Sequence, residues 1–201
     1  MTRRFTGDRL IIASHNIGKL EEFSTLLRPL NVSCTSCAEL GLPEPEETES
    51  TFIGNARIKA RAASLASGLP ALADDSGLTV DALNGAPGVY TADWAETPNG
   101  RDFTMAMQKT HALLQSAPTP HTAQFRCTLL LYWPDGHEEI FEGVAPGQLV
   151  WPRRGADGHG YDPMFQPDGL TQTFAEIPLA QKNTISHRAK AVSALLAGCF
   201  P

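Results

Sequence analysis

The chain has 201 residues, of which 42% are hydrophobic and 19% charged, ordinary globular values with room for one substantial core rather than two. Its 22 acidic residues against 16 Lys and Arg, a formal charge of -6, exclude the broad basic face that grips a nucleic-acid polymer and leave a free nucleotide open as a ligand. Arg3 and Arg4 precede an apolar stretch that Gly7, Asp8 and Arg9 interrupt, so this end reads as neither a signal peptide nor a membrane span.

From Asp8 to Ala13 the pattern predicts a short buried strand. From Asn16 to about Leu30, Leu20, Phe23, Leu27 and Leu30 recur at helical spacing, with Asn16 as N-cap and Pro29 at the far end. Lys19 then falls in the first turn, near free backbone N–H groups. A cation is mildly unfavourable there unless an anion meets it, which points to phosphate. Cys34 and Cys37 form one CxxC pair without a second, so they read as ordinary thiols. With Cys127 and Cys199 they are too scattered for a disulfide framework and fit a reducing cytoplasm.

A proline-punctuated acidic loop from Pro43 to Glu49 leads into a helix over Thr51 to about Ser67, with Phe52, Ala56, Ala60 and Ala63 on one face. Asn55 and Lys59, four apart, share an adjoining face and can reach one ligand; taken alone, such a pair reads as a solvated stripe. Leu69 to Ala73 predicts a buried strand that delivers Asp74 and Asp75 to its C-terminal edge, with Ser76 and Gly77 turning the chain. Open α/β sheets bind ligands at such edges.

Residues 85–90 read as a loop and Asp102 to about Gln115 as a helix. Ala123 to Tyr132 and Glu138 to Val150 read as an antiparallel pair about a turn containing Pro134, Asp135 and Gly136. The Gly-rich segment 155–163 is irregular. A short strand near Gln172 to Ile177 and a helix from Ser186 to about Leu196 close the chain, the second helix to carry cations in its first turn, here His187 and Arg188. The fold class is α/β, a mixed sheet with helices on its faces.

Glu46, Glu47, Asp74 and Asp75 offer the carboxylate oxygens that a hard divalent cation takes beside phosphate and water. An aspartate can accept a proton from water, Lys19 and Lys59 can neutralise phosphate, and Ser76 can donate to it. His159 and Tyr161 offer stacking planes, while Lys182, His187 and Arg188 offer donors that suit a 6-oxo purine better than adenine. Surface residues are the competing reading of His187 and Arg188, and a solvated strand end that of the Asp pair.

Five segments in order resemble the inosine triphosphate pyrophosphatase family: SHNIGK from Ser14, EETESTFIGNARIKA from Glu46, ALADDSGLTVDALNGAPGVYTADWA from Ala71, HGYDPMF from His159 and KNTISHRAKA from Lys182. The match runs from about residue 10 to 196 of a single domain spanning 1–201. The resemblance implies an elongated mixed sheet with two lobes around a nucleotide cleft and a homodimer. It also implies Mg²⁺-dependent cleavage of free purine nucleoside triphosphates (ITP, dITP, XTP) to the monophosphate and pyrophosphate. Carried over by motif, Asp75 is general base and metal ligand, with Glu46 or Glu47 as its partner on Mg²⁺. Ser14, His15, Asn16, Lys19, Asn55, Lys59 and Ser76 lie on the phosphate side. His159, Gly160, Tyr161 and Asp162, with Lys182, His187 and Arg188, lie on the base side. His15 stands where the family commonly has glycine, and His159 where it has phenylalanine. A non-catalytic nucleotide sensor and a phosphatase with a different cut are the other readings.

Overall fold

The computed structural model describes residues 2–15 and 17–200, leaving the side chains of residues 17–19, 22 and 26 undescribed. Two compact units divide the chain, neither of them contiguous. The first comprises Met1–Asp75, Thr128–Glu142 and Ala191–Pro201, and the second Ser76–Cys127 and Gly143–Lys190. The elements are β1 (Arg9–Ile12), α1 (Ile17–Leu27), β2 (Ser33–Ser36), α2 (Phe52–Ser67), β3 (Ala71–Val80), β4 (Glu96–Thr97), β5 (Gly100–Arg101), α3 (Phe103–Leu113), β6 (His121–Tyr132), β7 (Glu138–Leu149), β8 (Phe165–Pro167), α4 (Leu179–Ile185) and α5 (His187–Cys199). A six-stranded sheet runs in the order β2-β1-β3-β6-β7-β8, and β4 pairs with β5 in a separate ribbon. β1 is parallel to β2 and to β3, while β7 is antiparallel to β8, so the sheet is mixed as expected. Between β6 and β7 only residues 133–137 intervene, too few for the crossover that a parallel pair requires.

The first unit shows why α2 is rich in alanine. Ala56, Ala60 and Ala63, all buried, pack on Ile11 and Ala13 from β1 and its end and on Ala71 and Ala73 of β3. Small side chains on both surfaces let the helix lie close to the sheet. Thr51 caps it, its hydroxyl accepting from the Gly54 N–H, and Gly68 ends it in the left-handed region at φ 69°. Ala60→Leu should therefore overpack this seam and cost about 1–3 kcal/mol, read as a lower urea midpoint. An unchanged midpoint would show that the helix has slack to give.

The second unit is built around Leu78, Val80, Met107, Phe125, Leu149, Phe165 and Phe174. The Phe125 ring meets Phe165 edge-on at 4.6 Å between centroids and lies nearly parallel to Phe174 at 6.0 Å. Asp102 caps α3 by accepting from the Thr104 and Met105 N–H groups.

Three predicted features are corrected. Ser76 and Gly77 do not turn the chain: β3 continues through them to Val80, because Leu78 and Val80 keep the alternation and both bury completely. Residues 172–177 form no strand. Phe174 and Ile177 bury in the core from a turn, held by Glu176 N–H to the Thr173 carbonyl at 3.1 Å and Phe174 N–H to the Phe165 carbonyl at 2.9 Å, and the strand there is β8. α1 stops at Leu27, short of Leu30, and passes into a 3-10 turn with Pro29 inside and Asn31 left-handed at φ 56°.

Candidate active site

Strand alternation places Asp75 on the same face of β3 as Ala71 and Ala73, the face that α2 covers, and turns Asp74 to the opposite face. α2 answers with Asn55 and Lys59, one helical turn apart, which are buried rather than a solvated stripe. Lys59 Nζ lies 2.8 Å from Glu47 Oε1 and 3.6 Å from Asp75 Oδ1. The Asn55 side chain donates to Asp75, and its Oδ1 accepts the Glu49 N–H at 3.0 Å. One helix face thus fixes both the strand carboxylate and the acidic loop.

Burial pushes the Asp75 carboxyl up to about 6. Lys59 and Asn55 oppose that rise, while Glu47 and Asp74 add to it by repulsion. For Lys59 burial alone favours the neutral amine, but Asp75, Glu47 and Asp74 outweigh it and the pKa moves upward. Asp75 is therefore poised to take or release a proton near neutrality, beside a lysine that stays charged.

Both loop glutamates are exposed, and it is Glu47 that reaches Lys59. Among the described residues no three His, Cys, Asp or Glu side chains are gathered as a ready-made metal cage. The donor chemistry nonetheless fits a hard divalent cation: Mg²⁺ takes one or two carboxylates and completes its shell with phosphate and water, and Glu47 and Asp75 converge on one point.

His15 takes an unforeseen position. Its Nε2–H donates to the Leu42 carbonyl at 2.8 Å, and its Nδ1 lies 3.9 Å from Glu44, so it ties the β1–α1 junction to the acidic loop. With Ala13, Cys37, Leu42 and Lys59 it lines a mainly apolar cavity of about 90 Å³. Ser14 is half-buried between β1 and α1. Asn16, expected as cap and ligand contact, lies outside the described residues, as does the Lys19 side chain, although residue 19 stands in the first turn of α1 as expected. Ser76 is a strand residue that alternation turns away from the Asp75 face, not a turn donor beside it.

In the second unit, Asp162 accepts the His159 N–H at 2.6 Å and forms an ion pair with Lys182 of α4. The Lys182 ammonium also sits 5.5 Å from the centre of the Phe174 ring. His159 is exposed and offers its ring, but Tyr161 does not, contrary to expectation. Tyr161 is 0% exposed, edge-on to Phe103, and burial drives its hydroxyl up to about 12, so it supports the loop from behind. Gly160, at φ 64°, lets the loop turn between them. Ser186 caps α5, its Oγ accepting the Ala189 N–H at 3.1 Å, which puts His187 and Arg188 at the first two helical positions. The His187 ring lies flat on Phe125 with centroids 5.0 Å apart.

Gly158 escaped the sequence reading. Its φ of 83° suits glycine, and a Cβ there would fall on the Asp162 carboxylate, so this residue lets the loop close over Asp162.

A family model for the Ham1 family matches residues 10–198. The chain is 67% identical over 202 residues to a dITP/XTP pyrophosphatase of Ruegeria pomeroyi, covering 100% of this chain and 99% of that one. It is 58% identical to a dITP/XTP pyrophosphatase of Rhodospirillum centenum, covering 98% of each. Among solved structures, a HAM1 protein from Coxiella burnetii is similar at TM-score 0.89 and 39% identity, over 94% of this chain and 96% of that one.

Proposed function

The chain belongs to the Ham1 family, and from that premise we propose that it hydrolyses ITP, dITP and XTP to the monophosphate and pyrophosphate, clearing them before they enter DNA or RNA. The observation that carries the chemistry is the buried Asp75, raised to about 6 and held between Lys59 and Asn55. A water gives its proton to Asp75 as its oxygen bonds to the α-phosphorus; the bond from that phosphorus to the bridging oxygen breaks, and the electron pair leaves with pyrophosphate. Glu47 and Asp75 are the residues that would hold Mg²⁺, whose bound chemistry is to neutralise charge on the phosphate oxygens. Lys59 and Lys19 add positive charge toward the same oxygens.

Carried over by motif, the base side falls to His159, Lys182, His187 and Arg188. The exposed His159 ring stacks on the base, and Lys182, His187 and Arg188 supply donors for a 6-oxo group. Adenine presents an amino group at that position and would set donor against donor, at a cost of about 1–3 kcal/mol, which sets the preference. The single domain works as a homodimer in the cytoplasm on free nucleotides; four cysteines, none in a disulfide, fit the reducing compartment. No helix among the described residues is long and apolar enough to cross a membrane.

The test is product identity. The protein is incubated with ITP, XTP, ATP and GTP, with Mg²⁺ or EDTA, and the products are separated by anion exchange. IMP and XMP with pyrophosphate should form only with metal, with little product from ATP or GTP. Diphosphate with orthophosphate would move the cut, and binding without turnover would make the protein a sensor.

A further inference from the structure

Lys59 stands where a cation would be wanted. Its ammonium touches Glu47 at 2.8 Å and approaches Asp75 to 3.6 Å, the two carboxylates assigned above to Mg²⁺; the Lys59 and Asp75 side chains are only 9% and 10% exposed, so water screens that pair poorly, while Glu47 meets it from the solvent side at 37%. Without a positive charge between them, Glu47 and Asp75 would repel one another. We infer that Lys59 is the resident counter-cation of the nucleotide-free protein: it holds the two carboxylates together and yields them to the divalent cation when a triphosphate offers its ammonium new oxygens. This inference rests on the metal assignment made under the proposed function.

Two further features fit an exchange. Lys59 also lines the cavity of about 90 Å³, with the small residues Ala62, Ala63 and Ala66, so its side chain is not packed on every side. Asn55 holds Asp75 independently, so the carboxylate keeps its place when the ammonium leaves. The consequence is coupling: the metal alone must expel a like charge and binds weakly, whereas metal and nucleotide bind well together.

The decisive measurement is titration of nucleotide-free protein with Mn²⁺ alone, read as loss of the free-ion paramagnetic resonance signal. Lys59→Met should bind Mn²⁺ roughly tenfold tighter or more than the parent, because a positive charge within 4 Å of both carboxylates has gone, while Lys59→Arg should stay within about threefold of the parent. Unchanged or weaker binding by folded Lys59→Met would overturn the inference. Should that variant fail to fold, the parent still decides. Reductive methylation of Lys59, followed by mass spectrometry, should rise several-fold when saturating Mn²⁺ releases the ammonium, and a constant labelling rate would overturn the exchange. Asp75→Asn separates this from failure of the metal assignment. If it leaves Mn²⁺ binding by the nucleotide-free protein equal to that of the parent, the metal does not sit at Asp75 and both readings fall; if it abolishes binding while Lys59→Met gains nothing, the exchange alone falls.

Discussion

Asp75→Asn should reduce kcat by roughly 10²- to 10⁴-fold with ITP and Mg²⁺, the range over which a general base contributes, while the circular dichroism spectrum stays that of the parent. The same substitution should make the metal-free protein more stable at pH 8. In the folded chain burial raises Asp75 from 3.8 to about 6, so the native state binds this proton more tightly than the unfolded state does. The stability that Asp75 contributes is therefore fully present below about pH 4, and it is lost as pH rises through about 6. Above that the native state holds a desolvated carboxylate that Lys59 compensates only in part. A shift of this size corresponds to about 3 kcal/mol as an upper bound, and the amide removes the charge altogether, so a gain of about 1–3 kcal/mol is expected at pH 8. The gain should shrink toward zero as pH falls to 4. Thermal unfolding in EDTA across that range checks the sign. A variant less stable than its parent at pH 8 would mean that the ion pair with Lys59 outweighs desolvation, and that Asp75 holds the fold together rather than straining it. Activity retained with metal present would remove Asp75 from the base role altogether.

Local chemistry makes part of this site legible in the sequence. Asn55 and Lys59 lie one helical turn apart on an alanine-faced helix, and that spacing alone put them on one face. Their burial was not legible, because it depends on β3 lying beneath them. Asp75 is legible in the sequence but its setting is not: Ser76-Gly77 has turn composition, and only the later alternation of Leu78 and Val80 shows that the strand continues. β2 passed unnoticed because Ser33, Cys34, Thr35 and Ser36 carry almost no apolar signal and owe their strand state to pairing with β1. α4 passed unnoticed because seven residues after Pro178 offer too few turns for a period to register. Contacts between distant residues were wholly hidden. Neither the His15 bond to Leu42 nor the Lys182 pair with Asp162 has any signature within a local window.

That last pair changes what a mutation at Lys182 should do. Read as a donor waiting for a purine oxygen, Lys182 would be lost at the expense of base discrimination only. In the structure its ammonium already holds Asp162, whose side chain is 3% exposed and whose other bond orders His159. Lys182→Ala should leave a buried carboxylate without its counter-charge and cost about 3–5 kcal/mol, seen as a fall of several degrees or more in Tm. Asp162→Asn in the same chain should recover much of that loss, because the orphaned charge goes with it, and the interaction energy of the double-mutant cycle should exceed about 1 kcal/mol. Additive single effects would show that the pair is incidental to stability. The double variant also separates two roles that the single variant confounds. If it is stable yet hydrolyses ITP and ATP at nearly equal kcat/KM, the Lys182 ammonium reads the base as well as pairing Asp162. If it is stable and still discriminates, the ion pair shapes the loop, and the reading of the 6-oxo group falls to His187 and Arg188 at the start of α5.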